Sequence, residues 1–434
     1  MRKIRKTHVV VAVAGALSAA LLAGCSSGTA PAAQSTRSGP VEITFSSWLK
    51  GSKQVVEAFN ASHPDIKVTF KEVASSKDNY PALTNQVKAG NAPDVVTVEY
   101  PHVSEMATQG VLQDISKPAG DFVKSKFDPA AQSLVTFGGA TWGVPLDAGV
   151  LEFFYREDLF TKYGIEVPKT WAEYEAAAAK VATADPAVRL GSTVVGDSAL
   201  MAALSWQNGA KWGGVDGDSW KIDVNSQASM DAMKVHQDLF DKKLVWADDD
   251  PVLQKKQAAG QMLSVISGAW YGAALRSSFP DQAGKWRVAP LPAPTSAPAT
   301  AFYGGSTFGI SKNSTKADAG VKFIEWMTTD PAAISARIGG TSSTFPINTE
   351  ANAAAAKTFD KAFFGGQDIY ANAAAGLKTV PSGWTWTPGT PTTFSKLADG
   401  GAQVKAGKAT LSQILDQAQD ATVADLKNRG ISIK

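Results

Sequence analysis

Between Val41 and Val98 the chain reads strand, helix, strand, helix, strand, an order that commits it to a layered α/β fold. Val41 to Phe45 reads as a strand, and Ser52 caps a helix that runs through Ala61 with Val55, Val56 and Phe59 on one face. A second strand follows at Ile66 to Phe70. Then come a helix near Pro81 to Ala89, a loop Gly90-Asn91-Ala92-Pro93, and the apolar strand Asp94 to Val98. This rhythm predicts a mostly parallel sheet, and such sheets place ligands beyond the carboxyl ends of their strands. Leu151 to Tyr155 reads as a further strand. Thr170 to Glu173 has the spacing of a capping box that opens a helix to about Ala184. Later helices are predicted at Ser226 to Lys242, Lys316 to Thr328 and Leu411 to Asn428, and no internal repeat is visible.

The N-terminus belongs to a different class of sequence. Arg2, Lys3, Arg5 and Lys6 precede an apolar run from Val9 to Ala23 that is too short for a comfortable membrane span, which predicts a secretory signal peptide over residues 1–24. It ends at Leu22-Ala23-Gly24-Cys25, which resembles the lipobox of bacterial lipoproteins and holds the only cysteine of the 434 residues. Cys25 is therefore the expected lipidation site and the first residue of the mature protein. Several acyl chains, at about 0.8 kcal/mol per buried methylene, hold where one chain would not. Ser26 to Pro40 is rich in Ser, Ala, Gly, Thr and Pro and reads as a flexible tether reaching on the order of 20 Å.

Processing changes the charge argument. Residues 1–24 contain four of the 42 Lys and Arg and none of the 40 Asp and Glu, so the mature net charge falls from +2 to about −2. No basic run remains that would suit a nucleic acid. With the single thiol lipidated the fold has no disulfides and rests on its core, which about 400 residues can build as two domains.

Nine segments carry a family resemblance, and they occur in order: "VEITFSSW", "FNASHPDIKV", "VKAGNAPDVVTVEY", "GVLQDIS", "TWGVPLDAGVLEFFYREDLF", "YGIEVPKTWAEY", "LSWQNGA", "AGQMLSVISGAW" and "FYGGSTFGISKNS". Together they resemble the family 1 extracellular solute-binding proteins, the sugar-capturing lipoproteins of ABC importers, similar in plan to maltose-binding protein. The departures are "YREDLF", where the family usually has Tyr-Asn-Lys before Asp-Leu-Phe, and Lys243, where a glycine commonly closes a helix. The resemblance implies a two-lobed α/β periplasmic-binding-protein-like fold with a hinge of crossover segments and a ligand cleft between lobes. It implies a first lobe of residues 41–147 and 305–345 and a second of 148–304 and 346–434, behind a tether at 25–40. The partners implied are a carbohydrate, mono- or oligosaccharide, and the membrane subunits of an ABC permease. The protein is expected to be a lipid-anchored monomer on the extracellular or periplasmic face, without cofactor or nucleic-acid partner.

A sugar ring has an apolar C–H face and an edge of hydroxyls, so its site needs flat aromatics and paired donors and acceptors. Trp48 ends a strand, Trp206 precedes Gln207-Asn208-Gly209, Trp270 and Tyr271 follow Gly268-Ala269, and Trp384 and Trp386 lie in "PSGWTWTPGT". Loops rich in Gly and Pro are poor places for core tryptophan, so all of these are candidates; packing is the alternative for each. Trp171, Trp246 and Trp326 fall on helical faces or element ends and read as core. The resemblance favours Trp270, because the family's Gly-x-Trp loop stacks on the sugar. Among polar groups, Asp94 begins a strand where the family's Pro-Asp motif borders the cleft, with capping of loop N–H groups as its alternative. Glu99 and Tyr100 end that strand, Asp147 falls in the first crossover, and Gly305 and Ser306 fall in the return crossover, where small residues permit hinge motion.

Signatures of enzymes are missing. There is no G-x-S-x-G, no H-E-x-x-H and no phosphate-binding G-x-x-x-x-G-K-S/T, so no catalytic residue is assigned. His63, His102 and His236 are scattered, and Asp216-Gly217-Asp218 and Asp248-Asp249-Asp250 lack a full calcium loop, so no metal site is expected. The alternatives to sugar capture are a binding protein for a non-sugar solute, such as a polyol phosphate or polyamine, and a secreted carbohydrate-active lipoprotein enzyme.

Overall fold

The computed structural model describes residues 39–74, 76–339, 342 and 344–434. The expected signal peptide, Cys25 and the tether up to residue 38 lie outside the described residues. Strand β1 (Val41–Ser47) pairs in parallel with β2 (Ile66–Glu72) on one side and with β3 (Val95–Glu99) on the other. The helix Ser52–Ser62 packs its Val55, Val56 and Phe59 face inward, as the spacing predicts. Ser52 is not its cap, however. Gly51 occupies that position at φ 79°, and a Cβ there would overlap the Arg337 carbonyl, so only glycine fits.

A small hairpin of β4 (Thr136–Phe137) and β5 (Ala140–Thr141) leads into β6 (Val144–Pro145), the last strand of this lobe before the chain leaves it. The second lobe is built around β7 (Leu151–Arg156), with a second hairpin of β8 (Gly213–Asp216) and β9 (Ser219–Ile222) nearer its surface. Strands β10 (Ser264–Gly268) and β11 (Trp286–Pro290) flank β7, both antiparallel to it. The chain then returns to the first sheet as β12 (Ser306–Ile310), giving the order β2-β1-β3-β12-β6.

The expected mostly parallel sheet is thus parallel over three strands only. Strand β12 is antiparallel to β3, with Ser306 opposite Glu99 and Ile310 opposite Val95. The reason is the route of the chain: it enters β12 from the second lobe, at the edge where β3 ends, so it must run back along β3.

Most predicted helices are present within a residue or two, including Trp171–Ala184, Gln227–Asp241, Ala317–Thr329 and Leu411–Asn428. The capping box at Thr170 is half formed. Thr170 accepts from the Glu173 N–H, but the Glu173 carboxylate turns to the Lys169 N–H at 2.7 Å. Lys243, the departure from the family pattern, closes Gln227–Asp241 at φ 55° and is the only non-glycine at positive φ among the described residues. A lysine here keeps the left-handed turn that glycine would adopt without steric cost.

Three segments connecting the two sheets lie side by side. Leu146 N–H donates to Ser306 O at 3.0 Å, Ala148 N–H to Phe345 O at 3.0 Å, and Tyr303 N–H to Gly149 O at 2.7 Å. Gly149 must be small, since a Cβ on it would overlap the Tyr303 carbonyl. No helix among the described residues is long and apolar enough to cross a membrane.

Candidate functional site

Strand direction assembles the site. Strands β1 and β3 end, and β12 begins, on the same edge of the first sheet, so Trp48, Glu99 and Ser306 arrive together there. Opposite them, β10 ends at Gly268 and delivers Trp270, while the segment leading into β12 delivers Tyr303. A cavity of about 820 Å³ lies between, lined by these five residues together with Asp147, Gly305, Arg276, Ser342 and Thr344. A second cavity of about 620 Å³ adjoins it and shares Glu99, Ala199 and Gly304.

Glu99 is held in place by Tyr80. The Tyr80 hydroxyl donates to Glu99 Oε2 at 3.1 Å and accepts from the Glu99 N–H at 2.9 Å. Burial, reinforced by the Glu99 charge, raises the Tyr80 phenol well above its ordinary value, so it remains a donor. A carboxylate fixed this way keeps lone pairs for a ligand's hydroxyls, and a ligand lacking them leaves it unpaired. Trp48 stands edge-on to Tyr80 at 6.0 Å, and Tyr80 stacks on His102 at 4.1 Å.

On the second lobe Trp270 is 41% exposed, its indole N–H donates to Tyr303 O at 3.1 Å, and the two rings lie 5.8 Å apart. Tyr303 is anchored in turn, its hydroxyl donating to Asp197 Oδ2 at 2.7 Å. Asp197 also caps the helix Ser198–Gln207 through the Leu200 N–H. The hinge is stapled at Asp147, whose Oδ1 accepts from the Ser306 N–H at 2.7 Å. Gly305, at φ 101°, must be glycine because a Cβ would come within 2.8 Å of the Tyr100 ring.

The structure brings together Trp48, Glu99, Asp147, Trp270, Gly305 and Ser306, and puts Trp386 in the second cavity. Five sequence candidates lie elsewhere. Asp94 sits at the far end of β3, accepting from Thr44 and Ser314 and 3.6 Å from Lys316. Burial alone would raise its carboxyl, but those hydrogen bonds outweigh it and hold it below the usual range. It ties β1 to the start of β3 through Thr44, which is neither the cleft role nor the capping of its own loop's N–H groups. Trp206 and Trp384 are core: they are 2% and 1% exposed and stack at 4.9 Å and 7°. Tyr100 is buried behind the hinge with its hydroxyl on Asp147 O at 2.9 Å, and Tyr271 points to Gln257 Oε1 at 3.0 Å. Both support the site from outside the cavity lining.

Sequence reasoning missed Tyr80, Tyr303, Ala199 and the His102–Glu105 pair, which is 2.9 Å apart. Tyr303 stood next to the return crossover in "FYGG", a usable signal. Tyr80 had none, because its helix carries no motif. Arg337 was also missed. Its guanidinium is fully buried beside Phe308, burial lowers it to about 10, and Nε and Nη2 have no hydrogen-bond partner in the protein. No group of three or more His, Cys, Asp or Glu among the described residues is placed to hold a metal ion.

Two buried carboxyls set a pH dependence. Burial pushes Asp147 up to about 6 against the pull of the Ser306 N–H and Arg337, and pushes Glu152, in β7, up to about 8 despite a hydrogen bond from Asn372 at 2.6 Å. Each keeps a proton in the folded chain where the unfolded chain has lost it, so the stability present at low pH is lost as pH rises through these values. Buried His236, lowered to about 4, works in the opposite sense up to its ordinary 6.5, which leaves Glu152 governing the range above. From about pH 6.5 to 8 stability should therefore fall, by at most about 1.4 kcal/mol per unit for one proton. Glu152→Gln keeps the acceptor for Asn372 and should flatten that slope. Urea unfolding across this range checks it, and an unchanged slope in the variant would contradict the assignment.

The sequence profile of the family described as bacterial extracellular solute-binding protein matches residues 45–334. The chain is 26% identical to the maltodextrin-binding protein MdxE of Bacillus subtilis over 72% of this chain and 74% of that one. It is 29% identical to the galacto-N-biose-/lacto-N-biose I-binding protein of the ABC transporter from Bifidobacterium longum, solved with lacto-N-biose. The TM-score is 0.80, over 91% of this chain and 99% of that one. The ABC transporter associated binding protein from B. animalis subsp. lactis, solved with β-1,6-galactobiose, is 27% identical with a TM-score of 0.77, over 91% and 100%.

Proposed function

Because the chain belongs to the bacterial extracellular solute-binding protein family, we propose that it is the carbohydrate-binding lipoprotein of an ABC transporter, anchored through Cys25 and delivering its sugar to the permease. Its lobes, residues 41–147 with 305–345 and 148–304 with 346–434, close about the three connecting segments, and it performs no chemistry on what it binds. The observation that carries this reading is the cavity between the lobes, which pairs the exposed Trp270 face with the fixed Glu99 carboxylate. An aromatic plane opposite a rigid acceptor matches the two unlike surfaces of a sugar ring. Burying a ring from both sides also favours the closed arrangement, because only there are both sets of contacts made.

The test is a thermal-shift screen of the chain from residue 40 against mono- and oligosaccharides, with polyol phosphates and polyamines alongside. A sugar at a hundred times its Kd should stabilise the fold by about 2.7 kcal/mol and reduce the radius of gyration in solution scattering. Stabilisation by a phosphate or amine and by no sugar would overturn the reading.

A further inference from the structure

One carboxylate that borders neither cavity holds groups that line both. Asp197 is absent from the lining of either. Its Oδ2 accepts from the Tyr303 hydroxyl at 2.7 Å, and its Oδ1 accepts from the Leu200 N–H at 2.9 Å. Past the first of these bonds the contacts run into the larger cavity: Tyr303 O accepts from the Trp270 indole N–H at 3.1 Å, and both residues line that cavity. Past the second they reach the start of the helix Ser198–Gln207. There Ala199 lines both cavities, and the Ser198 hydroxyl donates at 2.7 Å to the carbonyl of Phe394, which lines the smaller one.

The two bonds have different requirements. Capping a helix does not need aspartate, since serine and asparagine cap about as well. Holding Tyr303 at the same time does, because it takes a second acceptor oxygen that serine lacks and that asparagine replaces with a donor. Burial, reinforced by the Asp197 charge, raises the Tyr303 phenol well above its ordinary value, so the hydroxyl keeps the proton it donates. A hydrogen bond to an ionised acceptor is roughly twice as strong as a neutral one. Tyr303 needs such a hold, because Gly304 and Gly305 follow it and restrain the ring little from that side.

Resting on the carbohydrate reading above, we infer that Asp197 is a positioning residue for ligand binding, which acts through the Tyr303 hydroxyl to fix the Tyr303 and Trp270 rings and does not itself touch the ligand. Its capping of the helix is a separate contribution, carried by its other oxygen.

A double-mutant cycle separates the two. Titration calorimetry of the unmodified protein against glucose, maltose, maltotriose, lactose and β-1,6-galactobiose first identifies the tightest of these five. Asp197→Ser keeps a capping oxygen for the Leu200 N–H but removes the acceptor for Tyr303, and Tyr303→Phe removes the same bond from the other side. Each should weaken that sugar at least threefold, and the double variant should bind within twofold of Tyr303→Phe alone, because the bond can be lost only once. A role confined to folding would not produce this coupling in affinity. Wild-type affinity in Asp197→Ser, or losses that multiply to ninefold or more in the double variant, would overturn the inference and leave sugar capture intact. If Asp197→Ser does not fold, Tyr303→Phe decides alone, and wild-type affinity there overturns it equally. Binding of none of the five sugars would remove the carbohydrate reading and the inference together.

Discussion

Trp206→Ala is expected to cost about 3–5 kcal/mol of folding stability while leaving the sugar affinity of the folded protein within about threefold of wild type. Trp206 is 2% exposed and lies face to face with Trp384 at 4.9 Å and edge-on to Phe302 at 5.2 Å, while Trp384 in turn rests against Trp212 at 5.4 Å. Its indole N–H donates to Pro381 O at 2.7 Å, so truncation would also leave that carbonyl without its partner. Neighbouring side chains are themselves large and held in one stack, which limits how far the void can collapse. Urea unfolding and calorimetry on the same variant measure both quantities. Near-normal stability with lost affinity would return Trp206 to the ligand site.

Trp270→Ala should show the opposite pattern, a loss of at least about 1.4 kcal/mol in binding, or tenfold in Kd, with the ligand-free protein destabilised by less than about 1 kcal/mol. Aromatic stacking contributes roughly 0.5–1.5 kcal/mol beyond the area it buries, and the indole face also removes a sugar's apolar side from water. In the free protein the ring gives up little, since it is 41% exposed, and water can replace its hydrogen bond to Tyr303 O. Thermal melting of the free variant and calorimetry with the tightest sugar decide it. A large loss of stability with unchanged affinity would make Trp270 a packing residue, leaving Trp48 and Trp386 as the aromatic platforms.

These two tryptophans mark how far sequence reading reached. Both follow small residues in segments without clear periodicity, so the residues themselves make both candidates for stacking, and only the family resemblance favours Trp270. Nothing within ten residues of Trp206 announces that Trp384 will lie flat against it, because their meeting depends on a helix and a loop brought together from distant parts of the chain. Asp94 and Glu99 make the same point within one strand. Five residues apart, they sit at opposite ends of β3, and only the end where β12 enters belongs to the cleft.

By itself the sequence determined four of the strands, β1, β2, β3 and β7, and the helices with clear apolar periodicity, a pattern that acts over one or two turns, and the family, through motifs kept in order along the chain. It also located the crossovers at Asp147 and Gly305–Ser306, because hinge segments need small residues and fixed polar contacts that leave a local trace. The reversed direction of β12, the core stack of Trp206 and Trp384, the Tyr80 hold on Glu99, and the two adjoining cavities were decided by tertiary structure alone. Each of these depends on which surfaces meet after the lobes assemble. A side chain's burial is set by partners remote in sequence, and no local propensity encodes them.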